Sequence, residues 1–405
     1  MYSLIVYLNC NIVRATLLNM ETIAVIFGGR SAEHDVSIVT ALASIIKPLE
    51  LTKKYRVEAV YIAKDGAWYW DEKLKNIELF TSGGIQDYLH RTQPASVQFD
   101  GGMTLVKASG IAGRKQQRKI DIAFPAMHGT YGEDGALMGL LDMAGIPYVG
   151  CGVGAAAVAM DKVLAKQVAV ANNIPVSKFL AFTKADLERE PGRAVKSVTE
   201  TLSYPLFVKP AHLGSSIGIT KVETDSELRN SLEVAAHYDD KVIVEEAVPN
   251  LIEVTLPIMG NARPQPALLE RPLTKPEDFF DFETKYLQGG KKGKGGTKGA
   301  QGYSEVPADL PKDLYDKAQN VGLAVYQTLG CSGISRVDML IDEKTGKVYF
   351  NEANPLPGDL YAHNWNRAGI SNVELVQKLI GFAKERHTQR QALTTTFSTN
   401  YLQQF

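Results

Sequence analysis

Five consecutive apolar residues, Ile23 to Phe27 ("IAVIF"), run into Gly28 and Gly29 and then into the helix-like stretch "DVSIVTALASII". An apolar run with no alternation suits a strand buried on both faces, as in a parallel sheet. The strands "VEAVYIA" and "IDIAFPAM" follow at the spacing that crossover connections fill. Strand, glycine turn and helix predict a doubly wound α/β unit over residues 20–150. Its turn, "GGRSAEHD", lacks the GxGxxG spacing, so no dinucleotide site is expected there. Residues 84–118 have no clear period and read as a hairpin or excursion.

Downstream, the helix-like "AAAVAMDKVLAKQVAVANN" is stopped by Pro175. The strand "LFVKP", the loop "AHLGSSIG", the strand "ITKV", a helix near 225–237 and the strand "VIVEEAV" complete a small mixed α/β unit, residues 151–262. Residues 263–385 then run strand, long loop, helix, two strands and the helix "SNVELVQKLIGFAKER". By composition alone, the glycine- and lysine-rich segment 287–302 within this unit is a solvated loop. Residues 386–405 read as a polar tail ordered only by docking. In residues 1–19 the apolar pattern is broken by Asn9, Asn11 and Arg14. They read as a non-domain N-terminal extension or a mis-set start, too short and polar to span a bilayer.

A chain of 405 residues, 45% apolar and 22% charged, suits two or three ordinary globular domains. Its net charge of -1 argues against bulk electrostatic binding of nucleic acid. Cys10, Cys151 and Cys331 are too few and too scattered for a disulfide framework or a thiolate metal site, which points to a reducing cytoplasm.

Four segments carry chemistry. In "VKPAHLGSSIG" a strand delivers Lys209 to a glycine/serine loop whose backbone N–H groups, with Ser215 and Ser216, can cradle an anion. In "VIVEEAV" the backbone from Glu246 to Val248 is placed to read an adenine edge. In "SRVDMLID" and "FNEANPLPG", Arg336 and Asp338 share one strand face, as do Glu352 and Asn354. Three hard oxygen ligands beside a guanidinium suit Mg²⁺ and a transferring phosphoryl group.

Together with "GGRSAEHDVS", "HGTYGEDGALMGLLDMAGIPYVGCGV…MDK" and "FDFETKY", these segments make the chain resemble the D-alanine–D-alanine ligases of the ATP-grasp superfamily over most of residues 20–385. The resemblance implies an ATP-grasp fold of three domains and ATP-dependent joining of two D-alanines through a D-alanyl phosphate, for peptidoglycan synthesis. It implies ATP with two Mg²⁺ (or Mn²⁺) held by Asp338, Glu352 and Asn354. Lys162, Lys209, Gly214, Ser215 and Ser216 would hold ATP phosphates, and Glu245, Glu246, Val248 and Glu253 the nucleoside. Glu33 would take the ammonium of the first D-alanine near His128, and Glu33, Ser215 and Tyr286 would close the site. Lys285 would sit at the root of a lid formed by 287–302. Arg336 and the N–H of Gly358 would face the oxyanion. No nucleic acid or membrane partner is implied, and a homodimer is allowed but not specified.

The chain departs from that pattern at two places. Asp359 follows Gly358 where relatives place a small hydroxyl residue, so His363 or a backbone group becomes the expected carboxylate binder. Leu251 stands where relatives carry the ribose-binding acid, leaving Glu253 as its substitute. These departures keep two other readings open: a ligase for another acceptor such as D-lactate or D-serine, and a non-catalytic nucleotide-binding relative.

Overall fold

The structure is a computed structural model that describes residues 20–109, 114–273 and 304–405. The expectations for residues 1–19, Lys285, Tyr286 and the 287–302 loop lie outside the described residues.

In the first unit, β1 (Thr22–Gly28), β2 (Arg56–Ile62) and β3 (Trp68–Trp70) precede a meander of β4 (Ser96–Phe99), β5 (Met103–Ser109) and β6 (Arg114–Ile120), and then β7 (Ile122–Pro125). The main sheet has the order β3-β2-β1-β7, with β1 parallel to both neighbours. Every residue of β1 is buried because the strand is central and covered on both faces. The excursion read near 84–118 holds a helix, Gly84–Arg91, and the antiparallel meander. The helix after β1 is irregular: His34–Val39 passes into a π-helical stretch, Thr40–Ile46, and then into Lys47–Thr52. Such widened turns are frequent at functional sites.

The single helix expected over "AAAVAMDKVLAKQVAVANN" is two: Val153–Met160 and α1 (Lys162–Ala171). Asp161 is extended (φ -88, ψ 100), and its carboxylate accepts from the N–H groups of Val163 and Leu164. A side chain that caps a new helix start competes with continuation of the old one. Next come β8 (Phe179–Thr183), β9 (Leu206–Pro210), β10 (Thr220–Val222), α2 (Asp225–Tyr238) and β11 (Lys241–Glu246). They form an antiparallel sheet in the order β10-β9-β11-β8 with its own core around Val208, Leu228 and Val244.

The remaining elements are β12 (Leu251–Gly260), β13 (Gln265–Pro266), β14 (Arg271–Pro272), β15 (Ser304–Glu305), α3 (Lys312–Thr328), β16 (Gly333–Asp342), β17 (Lys347–Asn354) and α4 (Asn372–Gln391). Read as the end of the central unit, β12 instead pairs along its whole length with β16, in the sheet β13-β12-β16-β17. The helices at 153–171 also pack there: Ala155, Ala159, Ala165 and Ala169 share a core with Leu256, Val337 and Phe350. The sequence boundary at 262 therefore falls one strand after the change of sheet.

Helix α4 runs five residues past the expected end of order. Its buried Leu375, Val376, Leu379 and Ile380 join the core of β1. Lys384 meets Glu21 at 2.5 Å, Arg390 meets Asp142, and Arg386 donates to the carbonyls of Gly150 and Tyr148. No helix among the described residues is long and apolar enough to cross a membrane.

Candidate active site

The cross-strand register brings the first set of residues together. Asp338 of β16 lies opposite Glu352 of β17, and Arg336 opposite Asn354, so all four project from one face. Arg336 grips Asp338 with two parallel hydrogen bonds, Nε to Oδ1 at 2.9 Å and Nη2 to Oδ2 at 2.6 Å. Thr255 on β12 donates to Asp338 Oδ1 at 2.7 Å, and Lys162 Nζ stands 3.2 Å from Glu352 Oε2. Burial raises the Glu352 carboxyl, but Lys162, Arg336 and Lys209 outweigh it and bring the group down to about 2. An ionised carboxylate, a second carboxylate and a carboxamide on rigid strands are the hard-oxygen set that Mg²⁺ accepts. Between Phe350 and Glu352 the register slips, leaving Asn351 as a bulge with its Oδ1 3.5 Å from Lys209 Nζ. That residue was missed in the sequence because a bulge breaks the period-two pattern only in space.

Lys209 leaves β9 almost fully buried, and its ammonium bonds to Glu245 Oε2 at 2.9 Å. Glu245 Oε1 pairs with the wholly buried Lys166 at 3.1 Å. Burial raises Glu245, yet the two lysines bring it down to about 2. Glu246 turns to the sheet edge, where it accepts from Ser203 N–H at 3.0 Å. Val248 is half-buried in the connection to β12. Alternation puts Leu251, Glu253 and Thr255 on one face of β12, and Glu253 lies in the field of Lys209. The loop after β9 bends through Ser215 and Ser216, both at positive φ (55 and 60), to Gly218.

A second cluster comes from the first unit. Glu33 accepts a short hydrogen bond from the Ser215 hydroxyl, joining the start of the 34–39 helix to the glycine/serine loop. Gly214 and Gly129 both approach Glu33: a β-carbon on either would lie 3.2 Å and 3.0 Å from Oε2, and at Gly129 the positive φ (69) favours glycine as well. Burial raises the Glu33 carboxyl above the usual range, and the nearby Glu133 adds to the shift. Buried His128 is 3.0 Å from the Thr40 hydroxyl and 3.8 Å from Glu133.

The Pro357-Gly358 turn continues through Asp359, Leu360 and Tyr361, three successive left-handed residues (φ 57, 52 and 53). Left-handed L-residues cost roughly 1–2 kcal/mol each. Asp359 is tied on both sides: its N–H donates to Thr40 Oγ1 at 3.1 Å, and its Oδ1 accepts from Ser44 at 2.5 Å. Tyr361 lies under the Arg336 guanidinium at 5.4 Å. His363 turns away to Glu270, 2.9 Å from its Oε2. Nothing in the residues around either position marks Glu270 as its partner.

Thus Glu33, Ser215 and Gly214 form one group and Lys162, Arg336, Asp338, Glu352 and Asn354 another, joined where Lys162 Nζ donates to Leu213 O at 2.7 Å, with Lys209 one bulge away. The chain as a whole is similar to known proteins. The family models described as D-ala D-ala ligase N-terminus and D-ala D-ala ligase C-terminus match residues 22–151 and 168–381. A D-alanine–D-alanine ligase of Acetivibrio thermocellus is 37% identical over 385 residues, covering 91% of this chain and 96% of the relative. One of Chlorobium phaeovibrioides is 39% identical over 382 residues, covering 91% and 98%. Among solved structures, the D-alanine-D-alanine ligase from Coxiella burnetii superposes with a TM-score of 0.75 at 28% identity, covering 92% of this chain and 96% of its own. The VanG D-Ala:D-Ser ligase from Enterococcus faecalis gives 0.74 at 31%, covering 90% and 100%. With both halves of the family matched and relatives aligned almost end to end, this chain belongs to the D-alanine–D-alanine ligase family and has its three-domain ATP-grasp fold.

Proposed function

We propose that this protein joins two D-alanine molecules for peptidoglycan synthesis, splitting ATP to ADP and phosphate through an acyl phosphate of the first D-alanine. Relatives named D-alanine–D-alanine ligase support this acceptor over any other. The observation that carries the reading is the Glu33–Ser215 contact, because it sets an under-compensated carboxylate against a phosphate-type loop. Glu33 holds the ammonium of the first D-alanine, with His128 and Glu133 behind it. Lys162, Lys209 and the Gly214–Gly218 loop grip the nucleotide phosphates, with Ser216 contributing a hydroxyl. Glu245 keeps Lys209 charged and in place; Glu246 and Val248 lie along the adenine edge, and Glu253 stands toward the ribose. Asp338, Glu352 and Asn354 would hold Mg²⁺, which when bound screens the phosphate charge against an approaching carboxylate.

Arg336 is locked by Asp338 and Tyr361, so its remaining N–H groups are fixed in direction, and with the Gly358 N–H they face the oxyanion of the amine's attack. Lys285 and Tyr286 belong to the same reading. Asp359 serves as a strut of the turn, tied to Ser44 and Thr40, and His363, the expected carboxylate binder, is the partner of Glu270.

Phosphate release from ATP and Mg²⁺ should proceed with D-alanine alone and yield the dipeptide, identified by mass. Turnover only after adding D-serine or D-lactate would overturn the acceptor, and no turnover with any of them would overturn the ligase reading.

A further inference from the structure

The loop after β9 is fastened at its base by a side chain that the ligation scheme leaves unused. The backbone N–H of His212 donates to Asp239 Oδ2 at 2.7 Å, and its Nδ1 lies 2.9 Å from Asp239 Oδ1. Its Nε2 lies 3.3 Å from Asp161 Oδ2. The two carboxylates belong to different elements: Asp239 closes α2, and Asp161 caps α1. A carboxylate can only accept, so a ring with one at each nitrogen carries both protons and is an imidazolium. The other charged groups around it are Lys241 of β11, which pairs with Asp161, and the exposed Asp240, 4.0 Å away. Immediately beyond the cap, Lys162 donates from its backbone N–H to Ala211 O at 3.1 Å and from Nζ to Leu213 O at 2.7 Å. The residues on either side of His212 are therefore bonded to the lysine that reaches Glu352.

We propose that His212 is a positioning residue for nucleotide binding: its cationic ring, bridging Asp161 and Asp239, sets the spacing between Lys162 and the Gly214–Gly218 loop. The proposal rests on the reading of that loop as the phosphate cradle. Hydrogen bonds donated to Asp161 and Asp239 lift the ring to about 9 against the effect of burial. The bridge is thus intact at neutral pH and is lost as pH rises through that value. His212, Asp239 and Asp240 each present a ligand atom within 4.8 Å of the others, a spacing a cation could use. A ring that donates from both nitrogens has no lone pair for a metal, and so the cluster is an ion-pair network.

The test is the affinity of the full-length protein for a non-hydrolysable ATP analogue with Mg²⁺. It is measured calorimetrically near neutral pH and at about pH 9.5, where an ordinary lysine is still mostly charged. His212→Ala should weaken binding about tenfold near neutrality and abolish the pH dependence, since a misplaced cradle of this kind costs on the order of 10- to 100-fold. His212→Arg, a cation that does not titrate in this range, should restore most of the affinity and hold it at the higher pH, where the wild type weakens. Lys209→Ala tests the underlying reading. If it leaves affinity unchanged, the cradle assignment falls. If it weakens binding while His212→Ala binds like wild type, the His212 proposal alone falls. If His212→Ala does not fold, identical pH profiles for wild type and His212→Arg would equally overturn it.

Discussion

Glu352 and Glu33 serve one site, and the protein treats them in opposite ways. Glu352 sits on a strand among Lys162, Arg336 and Lys209, and their charges outweigh burial to hold it down near 2. Glu33 sits at a helix start, where burial and Glu133 push it up by more than the Ser215 hydroxyl, His128 and Lys162 bring it down. The first carboxylate belongs to a completed ionic lattice that is fixed before ligands arrive. The second is short of positive charge, and that deficit is what a substrate ammonium supplies. One half of the site is built to keep its charge and the other to receive one.

The contrast breaks most severely at the strand seat. Glu352→Gln strands Lys162 and removes a proposed metal ligand, and phosphate release should fall by about 10³-fold or more with the fold intact by circular dichroism. Asn354→Ala should act in the same direction; near-normal turnover in either would remove the metal seat from the mechanism.

Glu33→Gln should cost on the order of 10²-fold in kcat/KM for the first D-alanine. The sign of its pH dependence follows from the raised carboxyl. Capture of the ammonium needs the ionised form, so it is full above the free-protein pKa and fades as pH falls through it. The wild-type profile should therefore bend at a higher pH than an ordinary carboxylate, and the Gln variant should show no bend there. A wild-type bend at the ordinary value would mean that Glu33 is no more deprived of charge than a surface acid.

The smallest effect belongs to Asp359. Asp359→Asn weakens the tie to Ser44, which should lower stability by about 1 kcal/mol and leave dipeptide synthesis within a few-fold of normal. A switch of acceptor in that variant would make Asp359 a selectivity residue instead.

What could be read in advance depended on whether the signal was local. β1 was legible because its burial on both faces leaves an unbroken apolar run, and the Arg336/Asp338 and Glu352/Asn354 pairs because strands alternate. The break at Asp161 was hidden by alanines that favour helix on both sides of it. Helix α4 looked finished at Arg386 because what holds its last turn, Gly150, Tyr148 and Asp142, lies more than 200 residues upstream in the chain. β12 was grouped with the strand before it, since nothing in its own residues names β16 as its partner. The Glu33–Ser215 contact had no signal in either segment alone and came only from the family resemblance.

The ties made by α4 also decide where the molecule is most firmly joined. They weld the first unit to the β12–β16–β17 sheet, and the helices at 153–171 are packed on that same body. The central sheet has a separate core and meets α1 through the small apolar cluster of Val163, Ala211 and Ile243. Among the polar contacts that cross its junctions with the rest of the molecule, Lys166–Glu245 and Asp161–His212 tie it to the 153–171 helices, and Ser215–Glu33 ties it to the first unit. Lys209 belongs to that sheet and Lys162 to α1, so a nucleotide held by both, as proposed, would itself be a further tie across the junction.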